Sequence, residues 1–200
     1  MKSSMVVCLL ALKFVAATPL RAQSHPWSLG ASAVYSDFRG GLQDPGGITF
    51  EPSSRFEIGA VAARWWTGWG VQFEAGWANG HLSSRDSTGD QLQLDALSAG
   101  FDRIRGSVLA GIRILAVGQG SISVLVGPTF DVWHGDDKWR PRLGGQARLA
   151  LTAPVGRLLL ENYLGYSLSG SPFDDDESPP GFERTTLHAI SVGIELRWRL

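Results

Sequence analysis

The sequence predicts an all-β chain: a cleaved signal peptide, then an eight-stranded antiparallel up-and-down β-barrel that spans a membrane. Three observations carry that expectation. Apolar and polar residues alternate with a period of two in eight successive stretches. The connections between those stretches alternate between long polar segments and tight turns. Aromatic residues gather toward the strand ends, while the strand middles carry Ala, Val, Ile and Leu.

Residues 1–22 read as the signal peptide. MKSS supplies a short positive start, MVVCLLALKFVAA an apolar run broken only by Lys13, and Ala22 or Ala17 a small-residue cleavage site. The run is too short to span a membrane as a helix. Cys8 lies near its start rather than its end, which excludes a lipoprotein signal. Residues 23–200 then form the barrel and contain no cysteine, so no disulfide or thiol chemistry is expected. The formal net charge is −1, with no basic run or stripe, which argues against a nucleic-acid partner.

The first strand sets Trp27, Leu29, Ala31, Ala33 and Tyr35 against Ser28, Gly30, Ser32 and Val34. The second alternates Phe56, Ile58 and Ala60 with Glu57, Gly59 and Val61, and the third Val71, Phe73, Ala75 and Trp77 with Gln72, Glu74 and Gly76. The same pattern recurs around Ile104–Ile114, Ile122–Phe130, Leu143–Leu151 and Leu158–Tyr166. It ends on Ile190, Val192, Ile194, Leu196, Trp198 and Leu200. Tight turns are expected at Thr67–Gly70, around Gly118–Gly120 and around Pro154–Gly156, where Gly and Pro supply the required backbone angles. Long connections are expected at residues 37–54, 79–102, 131–140 and 169–184. The second of these has room for a short helix.

Alternation alone leaves the facing open, since a soluble lipocalin-like ligand carrier is apolar inside and a membrane barrel apolar outside. The polar face decides it. Lysine occurs only at positions 2, 13 and 138, and the polar positions are Gly, Ser, Gln and Thr with Arg and Glu. Guanidinium forks pairing with carboxylates suit a narrow lumen. The expected lumen network is Glu57, Glu74, Arg105, Arg113, Arg142, Arg148, Glu161, Glu195 and Arg197. Two aromatic girdles follow from the up-and-down trace. Trp27, Trp65, Trp66, Trp69 and Trp198 fall at the short-turn end; Tyr35, Phe56, Trp77, Phe130, Trp133 and Tyr166 fall toward the long-loop end. Arg64 lies in phase with Ala60 and Ala62 on the outer face, where it must snorkel at the girdle or sit in a bulge.

The whole region after the signal peptide resembles the small eight-stranded outer-membrane barrels of the OmpA/OmpX type. The resemblance implies residence in the outer membrane of a Gram-negative-type bacterium, among its lipids and lipopolysaccharide. It also implies that barrel-assembly machinery reads the C-terminal strand, whose last residue is Leu200 with Trp198 two places earlier. An eight-stranded interior is filled by side chains, which disfavours an open pore. No peptidoglycan-binding domain is expected after Leu200, so the anchoring role of larger OmpA-type proteins is not implied.

Candidate chemistry is sparse. His81 and Ser83, two apart at the outer end of the third strand, resemble the His-x-Ser pair of small outer-membrane lipid A deacylases, which implies an ester hydrolase as the alternative function. Glu74 lies out of phase with His81 and is a poor orienting carboxylate. His188 and Ser191, three apart, face opposite sides of a strand. Asp174, Asp175, Asp176 and Glu177, with Asp131, Asp136 and Asp137, offer hard oxygen ligands for a divalent cation, although such a run is commonly a solvated loop. No cofactor is expected. Trp133 and Trp139, flanking HGDDK, are the expected contact patch for an extracellular ligand. The favoured function is a structural or surface-interaction barrel displaying four long loops.

Overall fold

The computed structural model describes residues 27–85, 91–93, 101–135, 137–174, 178 and 180–200. The signal segment at 1–22 lies outside the described residues. In chain order the strands are β1 (Trp27–Arg39), β2 (Leu42–Gln43), β3 (Thr49–Pro52), β4 (Arg55–Trp65), β5 (Trp69–Ala78), β6 (Leu82–Arg85) and β7 (Gln91–Gln93). They continue with β8 (Asp102–Val117), β9 (Gly120–Gly135), β10 (Lys138–Val155), β11 (Leu158–Ser169), β12 (Glu183–Arg184) and β13 (Leu187–Arg199).

Eight of these close into one barrel in the order β1-β13-β11-β10-β9-β8-β5-β4. Every barrel pairing described is antiparallel, and neighbours in the ring are neighbours in the chain except at the closure. The terminal strand closes the ring: Ala31 of β1 faces Leu196 of β13 on one side and Ala60 of β4 on the other. A closed ring leaves no strand edge with unpaired backbone groups, as a span through hydrocarbon requires. The β8–β9 and β10–β11 turns place Gly118 and Gly156 at φ 59° and 63°, the left-handed region that glycine enters without a Cβ clash.

The outer face is apolar. Leu29, Ile58, Phe73, Val108, Leu149, Leu164, Val192 and Leu196 are exposed, while the residues between them are buried or half-buried in the lumen. This inverts the arrangement of a soluble ligand carrier, which would expose its polar face.

At the long-loop end a second sheet forms in the order β12-β2-β3-β6-β7. It draws on the first, second and fourth expected long connections. The third corrects the sequence expectation. Residues 131–140 are not a loop: β9 continues to Gly135 and β10 begins at Lys138, with Asp137 in the turn at φ 58°. The barrel wall is extended here, because the inward-outward alternation persists through Asp131, Val132 and Trp133 despite their loop-like composition. Where a short helix was allowed in the second connection, the described residues form β6 and β7.

Candidate functional site

The lumen is layered. Near the short-turn side, Arg148 binds Glu74 through both terminal nitrogens and reaches Glu195 at 3.1 Å. Arg197 pairs with Glu161 and lies 3.7 Å from Glu195. Gln72 links the two arginine systems. Its amide nitrogen donates to Glu74 at 2.6 Å and Glu195 at 3.0 Å, and its oxygen accepts from Arg197 at 2.7 Å. Ser107 donates to Glu74, and Thr152 to Glu161. Arg148 also lies over the Tyr163 ring, 4.0 Å from its centroid. Tyr163 belongs to an apolar interior cluster with Val34, Leu109, Leu125 and Ala150.

A second network lies toward the long loops. Arg103 binds Asp131 at 2.7 Å and approaches Glu57 at 3.5 Å. Arg105 bonds Gln146 and lies 3.9 Å from Asp131. Above it, Phe38, Phe101, Trp133, Leu187 and Ala189 pack into an apolar plug. The Arg55 and Arg103 guanidiniums each lie 5.2–5.5 Å from the centroids of Phe38 and Trp133. Buried charges need such partners because removing an ion from water costs on the order of several kcal/mol, which well-placed partners offset.

Of the nine expected lumen charges, Glu57, Glu74, Arg105, Arg148, Glu161, Glu195 and Arg197 face inward into these networks. Two do not join them. Arg113 is exposed at the short-turn mouth beside a β-bulge, over the Trp65 ring at 4.9 Å. The bulge ends regular alternation before the hairpin tip. Arg142 instead clamps the fourth connection, binding the Ser171 and Phe173 carbonyls and Asp174. Arg103, Asp131 and Gln72 complete the networks although composition did not mark them. Their strand parity did, and for Asp131 it outweighs the loop-like surroundings.

The girdles need two corrections of the same kind. Trp133 is buried inside the mouth, stacked on Phe101 at 5.3 Å, so it is neither a girdle residue nor an exposed contact. Trp65 packs inward against the apolar cluster. Both share parity with lumen residues, Trp133 with Asp131 and Trp65 with Val61 and Ala63. Tyr35, Phe56, Trp69, Trp77, Phe130, Tyr166 and Trp198 are exposed on the outer face, and Trp27 and Trp66 flank Arg64 there at 5.6 and 4.9 Å. Arg64 therefore sits at the girdle in regular strand, and no bulge is needed. Trp139 is exposed against His134, 4.3 Å between ring centroids.

The two members of the His-x-Ser pair are placed in different surroundings. Ser83 is 1% exposed and its hydroxyl donates to the Glu51 carbonyl, while His81 is exposed just before β6. Of the acidic run, Asp174 is half-buried against Arg142. Asp175, Asp176 and Glu177 lie outside the described residues, as does Asp136. Among the described residues no group of three or more His, Cys, Asp or Glu side chains is placed to hold a metal. In the loop sheet Glu51 is buried, bound to Arg85 at 2.7 Å and 3.7 Å from Arg39. Burial pushes its carboxyl up to about 7, with Arg39 opposing the rise.

No protein-family model matches the sequence, and no curated protein matches it. Solved structures do. The chain is similar to the outer membrane protein OprG from Pseudomonas aeruginosa, with a TM-score of 0.56 at 10% identity, covering 89% of this chain and 98% of that one. It is similar to Neisserial surface protein A (NspA), with a TM-score of 0.53 at 9% identity, covering 87% and 97%. The chain therefore has the fold of the small outer-membrane β-barrels, closed on eight strands with its apolar face outward.

Proposed function

We propose that this protein is an integral outer-membrane barrel whose role is structural or surface-interactive: a rigid anchor that presents the loop sheet outside the cell. The observation that carries this reading is the contrast between a filled interior and an elaborated loop end. Ion pairs and the Phe38–Phe101–Trp133 plug occupy the lumen, so a conduit is a poor use of this barrel. Three connections meanwhile build a sheet of their own above the wall, supplying a shaped surface for a ligand. The apolar outer face supports a bilayer as the surroundings, since an exposed apolar area of this extent is not stable in water.

The test uses the full chain in its own cell type. Outer membranes are compared unheated and boiled on detergent gels, and a Gln43→Cys variant is treated on intact cells with a membrane-impermeant maleimide. The expected results are a heat-dependent band shift and labelling of intact cells. A soluble protein, or a cysteine reached only after lysis, would overturn the reading.

A further inference from the structure

We infer that the short-turn rim of the barrel is a docking surface for anionic phospholipid headgroups, centred on Arg64 between Trp27 and Trp66 and extended by Arg113 and Arg157. The inference rests on the membrane-spanning reading proposed above.

Charge is distributed unevenly along the barrel axis. The segments that build the short-turn end, residues 63–70, 111–123, 152–160 and 196–200, hold Arg64, Arg113, Arg157, Arg197 and Arg199 and no Asp or Glu. Arg197 points into the lumen and is paired there. Farther along the axis Arg39, Arg85, Arg103, Arg142 and Arg148 each form an ion pair, while Arg55 bonds the Ser53 and Phe101 carbonyls. Arg64, Arg113 and Arg157 have no carboxylate within ion-pairing distance among the described residues.

These residues form a continuous rim. The Gly68 carbonyl accepts from the Arg113 backbone at 2.9 Å, joining the β4–β5 turn to the β8–β9 hairpin. The Arg157 carbonyl accepts from Arg199, and the Trp27 carbonyl accepts from Leu200, both at 3.1 Å. Trp27 faces Arg64 across the β1–β4 pairing.

Arg64 is the centre because its environment is half built. Its side chain lies on the outer, lipid-directed face, held over two indole rings, and its Nε is buried with no hydrogen-bond partner among the described residues. Trp66 and Trp69 stack at 4.0 Å beside it. Tryptophan at this position marks the boundary between hydrocarbon and headgroups. A guanidinium at that depth is poorly hydrated and offers a planar donor fork. The complementary group is an oxyanion in the same plane, and a phospholipid phosphodiester supplies it. Arg113 and Arg157 add positive potential, so lipids with net negative charge gain over zwitterionic ones. A periplasmic anionic polymer would also be attracted by the charge, but it would not reach an arginine packed between girdle tryptophans.

The test reconstitutes the full mature protein, purified folded, into phosphatidylcholine vesicles containing chain-spin-labelled phosphatidylglycerol or phosphatidylcholine. Electron spin resonance then gives the fraction of each lipid immobilised at the protein surface. The expected result is a preference for phosphatidylglycerol of about fivefold. It should fall toward unity in 1 M NaCl (about a 3 Å screening length) and in the Arg64→Gln/Arg113→Gln/Arg157→Gln variant. A Lys138→Gln/Arg184→Gln variant, altered at the opposite end, should keep it. Equal immobilisation of both lipids by the native protein would overturn the inference, as would a preference that survives the triple substitution or disappears with the opposite-end variant. The heat-dependent gel shift separates the two levels. A protein that lacks the shift and does not enter vesicles overturns the barrel reading itself, whereas one that shifts normally but shows no preference overturns only the headgroup site.

Discussion

The arginines of the lumen and those of the short-turn rim are the same side chain under opposite constraints. Arg148 and Arg197 are nearly inaccessible, and the chain supplies their partners, Glu74, Glu161 and Glu195 with Gln72 between them. Arg64, Arg113 and Arg157 stand at the edge, and the described residues supply Arg64 and Arg113 with aromatic faces but none of the three with a carboxylate. The difference teaches that burial, not residue type, decides whether a charge must be neutralised from within. In the lumen an unpaired ion bears the full loss of hydration, while at the rim water and headgroups remain available.

The largest effect should come from breaking the lumen. Arg197→Ala leaves Glu161 and Glu195, direct cross-strand partners, buried with less compensation. A loss of about 3–5 kcal/mol is expected in urea unfolding of the vesicle-reconstituted protein. Adding Glu161→Gln should return a measurable part of it, by removing one of two like charges. If Arg197→Ala unfolds like the native protein, the lumen network is not what holds this region.

A steric version of the same comparison should be smaller. A Cβ at Gly193 would meet the Tyr163 ring inside contact distance, whereas one at Gly68, in the rim turn, would meet nothing within 4 Å. Gly193→Ala should cost about 1–3 kcal/mol, and Gly68→Ala should stay within about 0.5 kcal/mol of the native protein. The same unfolding curves measure both.

The loop sheet lies between the two cases, and pH probes it. Glu51 titrates near 7 in the folded sheet, because burial raises its carboxyl above the usual 4.5. The folded state therefore holds this proton more tightly than the unfolded one. The associated stabilisation is complete below about 4.5, falls as pH rises, and is gone above about 7. Amide hydrogen exchange across β3 and β6, corrected for the intrinsic pH dependence, should show opening that increases between pH 5 and 8. Glu51→Gln should flatten that trend. An unchanged slope in the variant would remove Glu51 as its cause.

The smallest effect belongs to the rim. Arg157→Gln should alter unfolding by no more than about 0.5 kcal/mol. A larger loss would mean that Arg157 has a structural partner and is not set apart from the lumen arginines.

Much of the barrel was legible because strand periodicity is local. Leu29, Ile58, Phe73 and Leu164 could be assigned to the outer face from their neighbours alone, and Glu57, Glu74 and Glu195 to the inner one. Composition misleads where it conflicts with strand parity. Asp131 and Trp133 sit in a segment rich in Asp, His and Gly, yet keep the inward phase of Thr129. Trp65 keeps the phase of Ala63 and points inward despite its indole. Arg113 leaves the lumen for the converse reason, since a bulge beside it interrupts the phase, and no residue in that segment announces a bulge. The five-stranded loop sheet was not legible, because β2 and β12 have two residues each and no period to read.

The sequence by itself determined which residues alternate, how many barrel strands there are and which face of most strands is apolar, since each follows from side chains two positions apart. Tertiary structure alone decided the partners. Arg148 meets Glu74 across 74 residues of chain, and Gln72 meets Glu195 across 123. Those meetings depend on the stagger with which eight tilted strands close into a ring, and on how far each wall extends above the bilayer. Neither is encoded within any one strand. A one-residue slip of a single strand would leave its local alternation intact and send that strand's lumen charges to the lipid.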